Sequence, residues 1–327
     1  MLPTIEFLER GHVGAPGLYQ MPAEAYYEDP CPEPSLTQSI VKTLLSRSPA
    51  HAWIEHPRLN PKFERPDPTQ YDVGIVAHRL MIGLGRDIII LREYENWMKS
   101  AAKEARAQAA KEGILAVLGK DFDRAERMVN AAKETIARAA VHDPALDGLF
   151  DPERGNGEVV AVTNSGGVWR RGSLDWLSND LLTIADYKTT GMSAAPHVMS
   201  KRIIDAGYDI QSPYYISLLD ELHREGVGRR RFIFVVQEDE PPFALTFIEL
   251  CETAQTVGRE KIETAKAIWC GCLKAGDWPA YPLHVQRPDY PAWAAAQWML
   301  RAATDNTLVV PSPDRQAAID IRTLSAG

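Results

Sequence analysis

Residues 157–188 hold three β-prone runs in close succession, and the last of them ends in Asp186-Tyr187-Lys188. Residues 157–162 and 167–175 read as strands joined by the turn-forming Thr163-Asn164-Ser165-Gly166. Ser178-Asn179-Asp180 is the next turn, and residues 181–185 form a largely apolar run of the kind found in a buried strand. A chain with this meander at its centre is organised around a sheet. Asp186 and Lys188 share a face of the last strand, because side chains two apart on a strand point the same way. With the turn centred near Asn179, Asp175 is expected diagonally across from Asp186, roughly 7–8 Å between backbones, a gap that one hard cation can bridge. Ile184-Ala185 place Asp186 at the end of a buried run, where a carboxylate is costly unless it is liganded or reaches water.

Oxygen donors of this kind suit Mg²⁺ or Mn²⁺, which keep positions for water and phosphate. A cation held there polarises a phosphodiester, and an adjacent lysine stabilises the developing charge or orients the attacking water. Two aspartates and a lysine at this spacing also occur on ordinary protein surfaces, so the residues around them have to decide the matter.

The chain has 327 residues and 45% hydrophobic content, which suits one large domain or two small ones. It contains no apolar stretch long enough to cross a bilayer, and residues 1–10 lack the basic start and apolar stretch of a signal peptide, so a cytoplasmic protein with no membrane partner is expected. The net charge of −8 repels nucleic acid, so such a partner has to be held by a local basic patch or by metal ions. Cys31, Cys251, Cys270 and Cys272 are few and unevenly placed, and read as free thiols.

Residues 1–34 are rich in Pro, Gly and acidic groups and read as an extended arm. Ser35, with Gln38 three residues on, resembles a capping box opening a helix whose apolar side is Leu36, Ile40, Val41, Leu44 and Leu45 and which stops before Pro49. Val73, Val76, Ala77, Leu80, Met81 and Leu84 suggest a second helix with His78 in its middle. Residues 94–140 read as two long amphipathic helices with a break near Gly119-Lys120-Asp121. Helices are further expected over residues 194–206, ended by Gly207, over 209–222, with Pro213 near the first turn, and over 252–273. On the second of these Gln211 and Tyr215 are four apart and share a face. Residues 231–236 and 243–248 read as a hairpin, and the tail after Tyr281 holds a helical stretch around 292–303.

Taken in order, Glu158, Asp175, Asp186-Tyr187-Lys188 and Gln211-Ser212-Pro213-Tyr214-Tyr215 resemble the motifs of the PD-(D/E)xK nuclease superfamily. Gly74-Ile75-Val76-Ala77-His78 looks like the upstream histidine motif of its exonuclease branch. Ser35-Leu36-Thr37-Gln38-Ser39, Gly207-Tyr208-Asp209-Ile210-Gln211 and Gly276-Asp277-Trp278-Pro279-Ala280-Tyr281 are most similar to the phage exonuclease VIII and lambda-exonuclease-like group. The resemblance covers residues 35–285, leaving 1–34 as an N-terminal arm and 286–327 as a C-terminal tail. It implies an α/β fold with a restriction-endonuclease-like core, a central mixed β-sheet flanked by helices.

It also implies roles. Asp175, Asp186 and the Tyr187 carbonyl would hold a catalytic Mg²⁺ or Mn²⁺; Glu158 would bind a second metal or position water; Lys188 would activate or orient the nucleophile. Gln211 and Tyr215 would brace the site and the DNA phosphate, and His78 would sit near the metals. Ser173, with Ser35 or Ser39, would hold a terminal phosphate. The second acid is Asp186 where many members have Glu, which brings the backbone closer to the metal. Some relatives bind an iron–sulfur cluster, but Cys270-Gly271-Cys272 is too tight for the usual ligand spacing. The implied activity is degradation of linear double-stranded DNA from its ends, 5′ to 3′, by a homo-oligomeric ring that leaves 3′ single strands for an annealing protein in recombination. Arg170, Arg171, Lys201 and Arg202 are candidates to face the bore of such a ring. An endonuclease or helicase-associated nuclease of the same fold, and a non-catalytic DNA-end binder, are the alternatives.

Overall fold

The protein is described here from a computed structural model that covers residues 4–64, 73–305, 307 and 308. Two eleven-residue strands, β5 (Gly155–Ser165) and β6 (Val168–Ser178), form the long antiparallel hairpin at its centre. Gly166 and Gly167 both have positive φ, 62° and 84°, as a two-residue turn matched to the twist of its strands requires. The strands therefore run further than Thr163-Asn164-Ser165 suggested, and only the glycine pair turns the chain. Strand β7 (Thr183–Thr190) returns antiparallel to β6, and β8 (Arg231–Glu238) lies parallel to β7. A parallel neighbour needs a crossover. Helices spanning Pro196–Asp205 and Tyr208–Leu222 supply it. Strand β9 (Leu245–Ile248) closes that side of the sheet.

The first 34 residues do more than an extended arm. Ile5–Phe7 (β1) and Gly17–Gln20 (β2) pair in parallel, and β2 runs antiparallel to β5, so the seven-stranded order is β1-β2-β5-β6-β7-β8-β9. Val13, Leu18, Tyr19, Met21, Ala25 and Cys31 are buried there, a core that Pro and Gly content concealed. The short helix α1 (Ala23–Tyr27) follows β2.

Helices cover both faces of the sheet. On one, Ile40, Val41 and Leu44 of α2 (Gln38–Ser46), Tyr214 and Leu218 of the Tyr208–Leu222 helix, and Trp269 of the Glu252–Ala275 helix pack over Leu174, Ile184, Phe232 and Phe234. The other carries Val76, Ala77 and Met81 of Val73–Ile82 and Met128, Val129 and Ala132 of Gly119–Ala139, packed over Trp176, Ala185, Tyr187 and Val235. With both faces covered, β8 reads as a nearly continuous apolar run over residues 232–236, as does the short Ile184-Ala185 stretch of β7 before Asp186.

Three local expectations are corrected. Thr37 rather than Ser35 caps α2, its hydroxyl accepting from the Ile40 amide at 3.3 Å, because Ser35 is committed elsewhere. The expected pair of helices over 94–140 is interrupted by a strand, Leu115–Leu118, paired in parallel with Ile88–Leu91. Its four residues are all buried, so the break before Gly119 is filled by sheet rather than by a turn. Pro213 sits in the interior of its helix, beyond the first turn. Lacking an N–H, it leaves the Asp209 carbonyl without its helical donor, and the Glu252–Ala275 helix presses Gly258 against that carbonyl. A Cβ at Gly258 would stand 1.9 Å from Asp209 O, so only glycine fits.

Residues 1–280 form one compact unit and 281–327 another, the second holding the helix Ala292–Thr304. Among the described residues no helix is long and apolar enough to cross a membrane.

Candidate functional site

The β6–β7 ladder holds only the pairs Leu177↔Ile184 and Trp176↔Ala185. Asp175 and Asp186 are the next residues beyond the last of these pairs, where the ladder ends. The ladder stops because the Asp175 side chain, rather than backbone, takes the Tyr187 amide, Oδ2 accepting from N at 3.0 Å. On the other side of Asp175, pairing continues through Gly157↔Trp176 and Val159↔Leu174 but skips Glu158, which faces Asp175 in the same register with φ of +48°. That conformation is rare and strained for a residue with a long side chain. Three carboxylates thus line one pocket where two adjacent ladders are interrupted.

Asp186 is the best held of them. Its side chain is 2% exposed; Gln211 Nε2 donates to Oδ2 at 2.6 Å, and the Lys188 ammonium stands 2.5 Å from Oδ1. Gln211 reaches it because the crossover helix lies over this end of β7. His78, from the helix on the opposite face, places Nε2 3.2 Å from Asp175 Oδ2. All seven residues that the sequence nominates for catalysis line one pocket of about 470 Å³: His78, Glu158, Asp175, Asp186, Lys188, Gln211 and Tyr215. Tyr215 lies flat enough against β6 that a Cβ at Gly172 would meet its ring at 2.6 Å.

The charges divide unequally. Burial, with Asp175 beside it, pushes the Asp186 carboxyl up to about 6 against the pull of Lys188. Burial also disfavours the charged form of Asp175, but His78, Lys188 and the Tyr187 amide outweigh it and hold that carboxyl below its ordinary range. Glu158 is raised by burial and by Asp175. Desolvation pulls His78 and Lys188 down, yet the carboxylates facing them win and both are raised. Lys188 is therefore a fixed cation at neutral pH.

This donor set fits a hard divalent cation. Asp186 Oδ1 is buried, and apart from its ion pair with the Lys188 ammonium at 2.5 Å it has no hydrogen-bond partner. Among the described residues no three acidic, histidine or cysteine side chains converge into a ready-made cage. A cation at Asp175 and Asp186 thus has to complete its shell with water, phosphate and backbone oxygens, which is how Mg²⁺ is commonly held.

The serines separate. Ser173 and Ser39 line the pocket, joined by Thr37, whose hydroxyl is 2.9 Å from that of Ser39. Ser35 does not reach it: fully buried, it gives Oγ–H to Asp29 at 2.7 Å and accepts from Arg171. The basic candidates are corrected in the same way. Arg170 and Arg171 are 1% and 4% exposed, Arg170 binding Ser217 and Glu221 and Arg171 binding Asp29, so neither can face a bore. Lys201 is exposed, and Arg202 gives a hydrogen bond to Thr190 Oγ1 at 2.9 Å. The sequence reading missed Met21, Ala23, Tyr26 and Tyr27, which complete the wall of the pocket from the first 34 residues. Nothing in that Pro-rich stretch marks them; only the pairing of β2 with β5 brings them here.

Residues 38–286 match the family described as PDDEXK-like domain of unknown function (DUF3799). The chain belongs to this family. The match spans the hairpin, the crossover helices and every pocket residue nominated for catalysis, and the mixed sheet flanked by helices is the fold of the PD-(D/E)xK nuclease superfamily. A crystal structure from Eubacterium rectale, described as a putative exonuclease, is similar in fold, with a TM-score of 0.50 and 14% identity over 84% of this chain and 98% of that one. No curated protein matches the sequence.

Proposed function

We propose that this PDDEXK-like domain is a Mg²⁺-dependent DNA exonuclease, with Mn²⁺ as a substitute. The observation that carries the reading is Asp186: a buried carboxylate near Asp175, braced by Gln211, beside a lysine that stays charged, in a pocket open to substrate. Asp175 and Asp186 would hold the cation with the Tyr187 carbonyl, and Glu158 would reach a second cation or a water. When bound, the cation supplies Lewis-acid polarisation of the scissile phosphate.

The chain's own residues do the rest. Lys188 is held protonated, so it serves as a hydrogen-bond donor to the attacking water or the phosphate and as a counter-charge for the transition state, not as the base that takes the proton. Gln211 fixes the Asp186 carboxylate by holding Oδ2, leaving Oδ1 turned to the site. His78 does the same for Asp175. Ser39, Thr37 and Ser173 offer hydroxyls to phosphate oxygens along the same pocket.

The finer reading follows the family resemblance: digestion of linear duplex DNA from its ends, 5′ to 3′, in a ring of identical copies, leaving 3′ single strands for an annealing protein. The test is digestion of linear duplex labelled at each 5′ end, and of closed circular DNA, by wild type and Lys188→Ala. Release of labelled nucleotides from linear DNA by wild type alone, with the circle intact, is the expected result. Cleavage of the circle makes the protein an endonuclease of the same fold; equal digestion by both proteins, or none with Mg²⁺ or Mn²⁺, removes the assignment. Light scattering of the full chain tests the ring.

A further inference from the structure

We propose that a second cavity, which adjoins the catalytic pocket at Glu158, seats an unpaired nucleobase of the strand being cut, with Phe7 as its stacking surface. The inference rests on the DNA-hydrolysing reading of the catalytic pocket and adds a binding subsite to it. The second cavity has a volume of about 530 Å³, within the range of pockets that enclose small organic ligands. It shares Met21, Ala23 and Glu158 with the catalytic pocket, so a strand held at Asp175 and Asp186 has this cavity as its immediate neighbour. At Gly85, with φ of +122°, a Cβ would stand 3.8 Å from Glu158 Oε1, so the glycine keeps the junction of the two cavities clear.

The lining decides what can enter. Glu24, Asp87 and Glu158 stand against a single cation, Arg86, which lies 3.8 Å from the Glu24 carboxylate. Such a wall repels phosphate, whereas its carboxylates accept hydrogen bonds from the amino and imino groups on the edge of a base. Two large apolar side chains complete it: Phe7, at the end of β1, is 74% exposed, and Leu84, just beyond the Val73–Ile82 helix, is 39% exposed. Single exposed apolar residues are ordinary. Two of them from separate elements, lining one cavity beside a phosphodiester site, suit a flat aromatic ligand. A stacking surface is useful only if it is already in place, because ordering it on binding consumes the energy gained. Phe7 pairs with Gln20, and Gln20 Nε2 donates to the Gly157 carbonyl at 3.1 Å, which fixes the end of β1 against the residue before Glu158.

The test measures kcat/KM on linear duplexes in which each of the first nucleotides of the cleaved strand is made abasic in turn, for wild type, Phe7→Tyr and Phe7→Ala. Wild type is expected to lose on the order of tenfold at one position. Phe7→Tyr should show the same loss, and Phe7→Ala should cleave the normal and the abasic duplex equally slowly. A loss that persists in Phe7→Ala, or a wild type indifferent to every abasic position, overturns the proposal. Affinity for the same duplexes is measured in parallel by fluorescence anisotropy in Ca²⁺. An affinity that depends on the base and on Phe7, with no cleavage by wild type in Mg²⁺ or Mn²⁺, would sink the nuclease reading while leaving the subsite standing; cleavage with an affinity indifferent to Phe7 would do the reverse.

Discussion

At Asp186 the protein accepts a cost to stability in order to keep a charge. Burial raises this carboxyl to about 6, so the folded chain binds its proton more tightly than the unfolded chain does. The sign follows directly: its contribution to stability is full below the ordinary value of 3.8 and is lost as pH rises through about 6. Asp186→Asn removes that dependence. In metal-free protein at neutral pH the variant is expected to be more stable than wild type by about 1–3 kcal/mol, read from urea unfolding, and to hydrolyse no DNA. Mg²⁺ should narrow the difference by stabilising wild type alone; an Asn variant less stable than wild type without metal would show that the carboxylate is not under strain. Lys188→Ala should lower kcat by about 10²-fold or more, with a smaller change in KM, measured on end-labelled duplex.

Among the elements, the crossover helix Tyr208–Leu222 matters most, because it carries Gln211 and is positioned from behind. Gly258 meets its Asp209 carbonyl, Gln255 Nε2 donates to Ser212 Oγ at 2.8 Å, and Lys261 pairs with Asp209. Gly258→Ala forces the two helices apart and is expected to destabilise by about 1–3 kcal/mol, seen as a shift in the urea midpoint. If it leaves both stability and kcat unchanged, the helix contact does not position Gln211. The buried ion pair of Asp29 and Arg171 ties the segment after α1 to β6 in the same way. Removing Asp29 leaves Arg171 buried without its partner, so Asp29→Ala should cost about 3–5 kcal/mol, whereas replacing both residues with apolar ones of similar volume should recover much of it. A double-mutant cycle on thermal unfolding measures this.

For the whole molecule, the two ends of the chain are not equivalent. Residues 1–34 give the sheet two strands and the pocket part of its wall, so their deletion is expected to yield insoluble or unfolded protein. Residues 286–327 lie in the second unit, and the pocket residues all belong to the first. Ending the chain at residue 285 should leave a cooperatively unfolding protein that still hydrolyses DNA, checked by circular dichroism and end-label release; loss of cooperative unfolding would show that the second unit supports the first. The net charge of −8 leaves phosphate binding to the pocket itself and to its cations, so activity should depend steeply on divalent metal and be abolished by EDTA.

Local physics made a large part of this protein legible from its sequence. Alternation and turn chemistry identify the meander from β5 to β7, and the burial cost of a carboxylate after Ile184-Ala185 singles out Asp186, with Lys188 on its face and Gln211 and Tyr215 one helical turn apart. These are relations between near neighbours, and a single period or turn specifies them. Long-range pairing decided the rest. Nothing within residues 1–34 says that β2 will pair with β5 and bring Tyr27 to the pocket, because strand pairing depends on a partner more than a hundred residues away. Arg171 and Ser35 look like surface and site residues until tertiary packing buries them against Asp29. His78 is singled out by its motif, but its partner is decided only when that helix packs on β7 and sets the ring against Asp175, a contact made by tertiary packing.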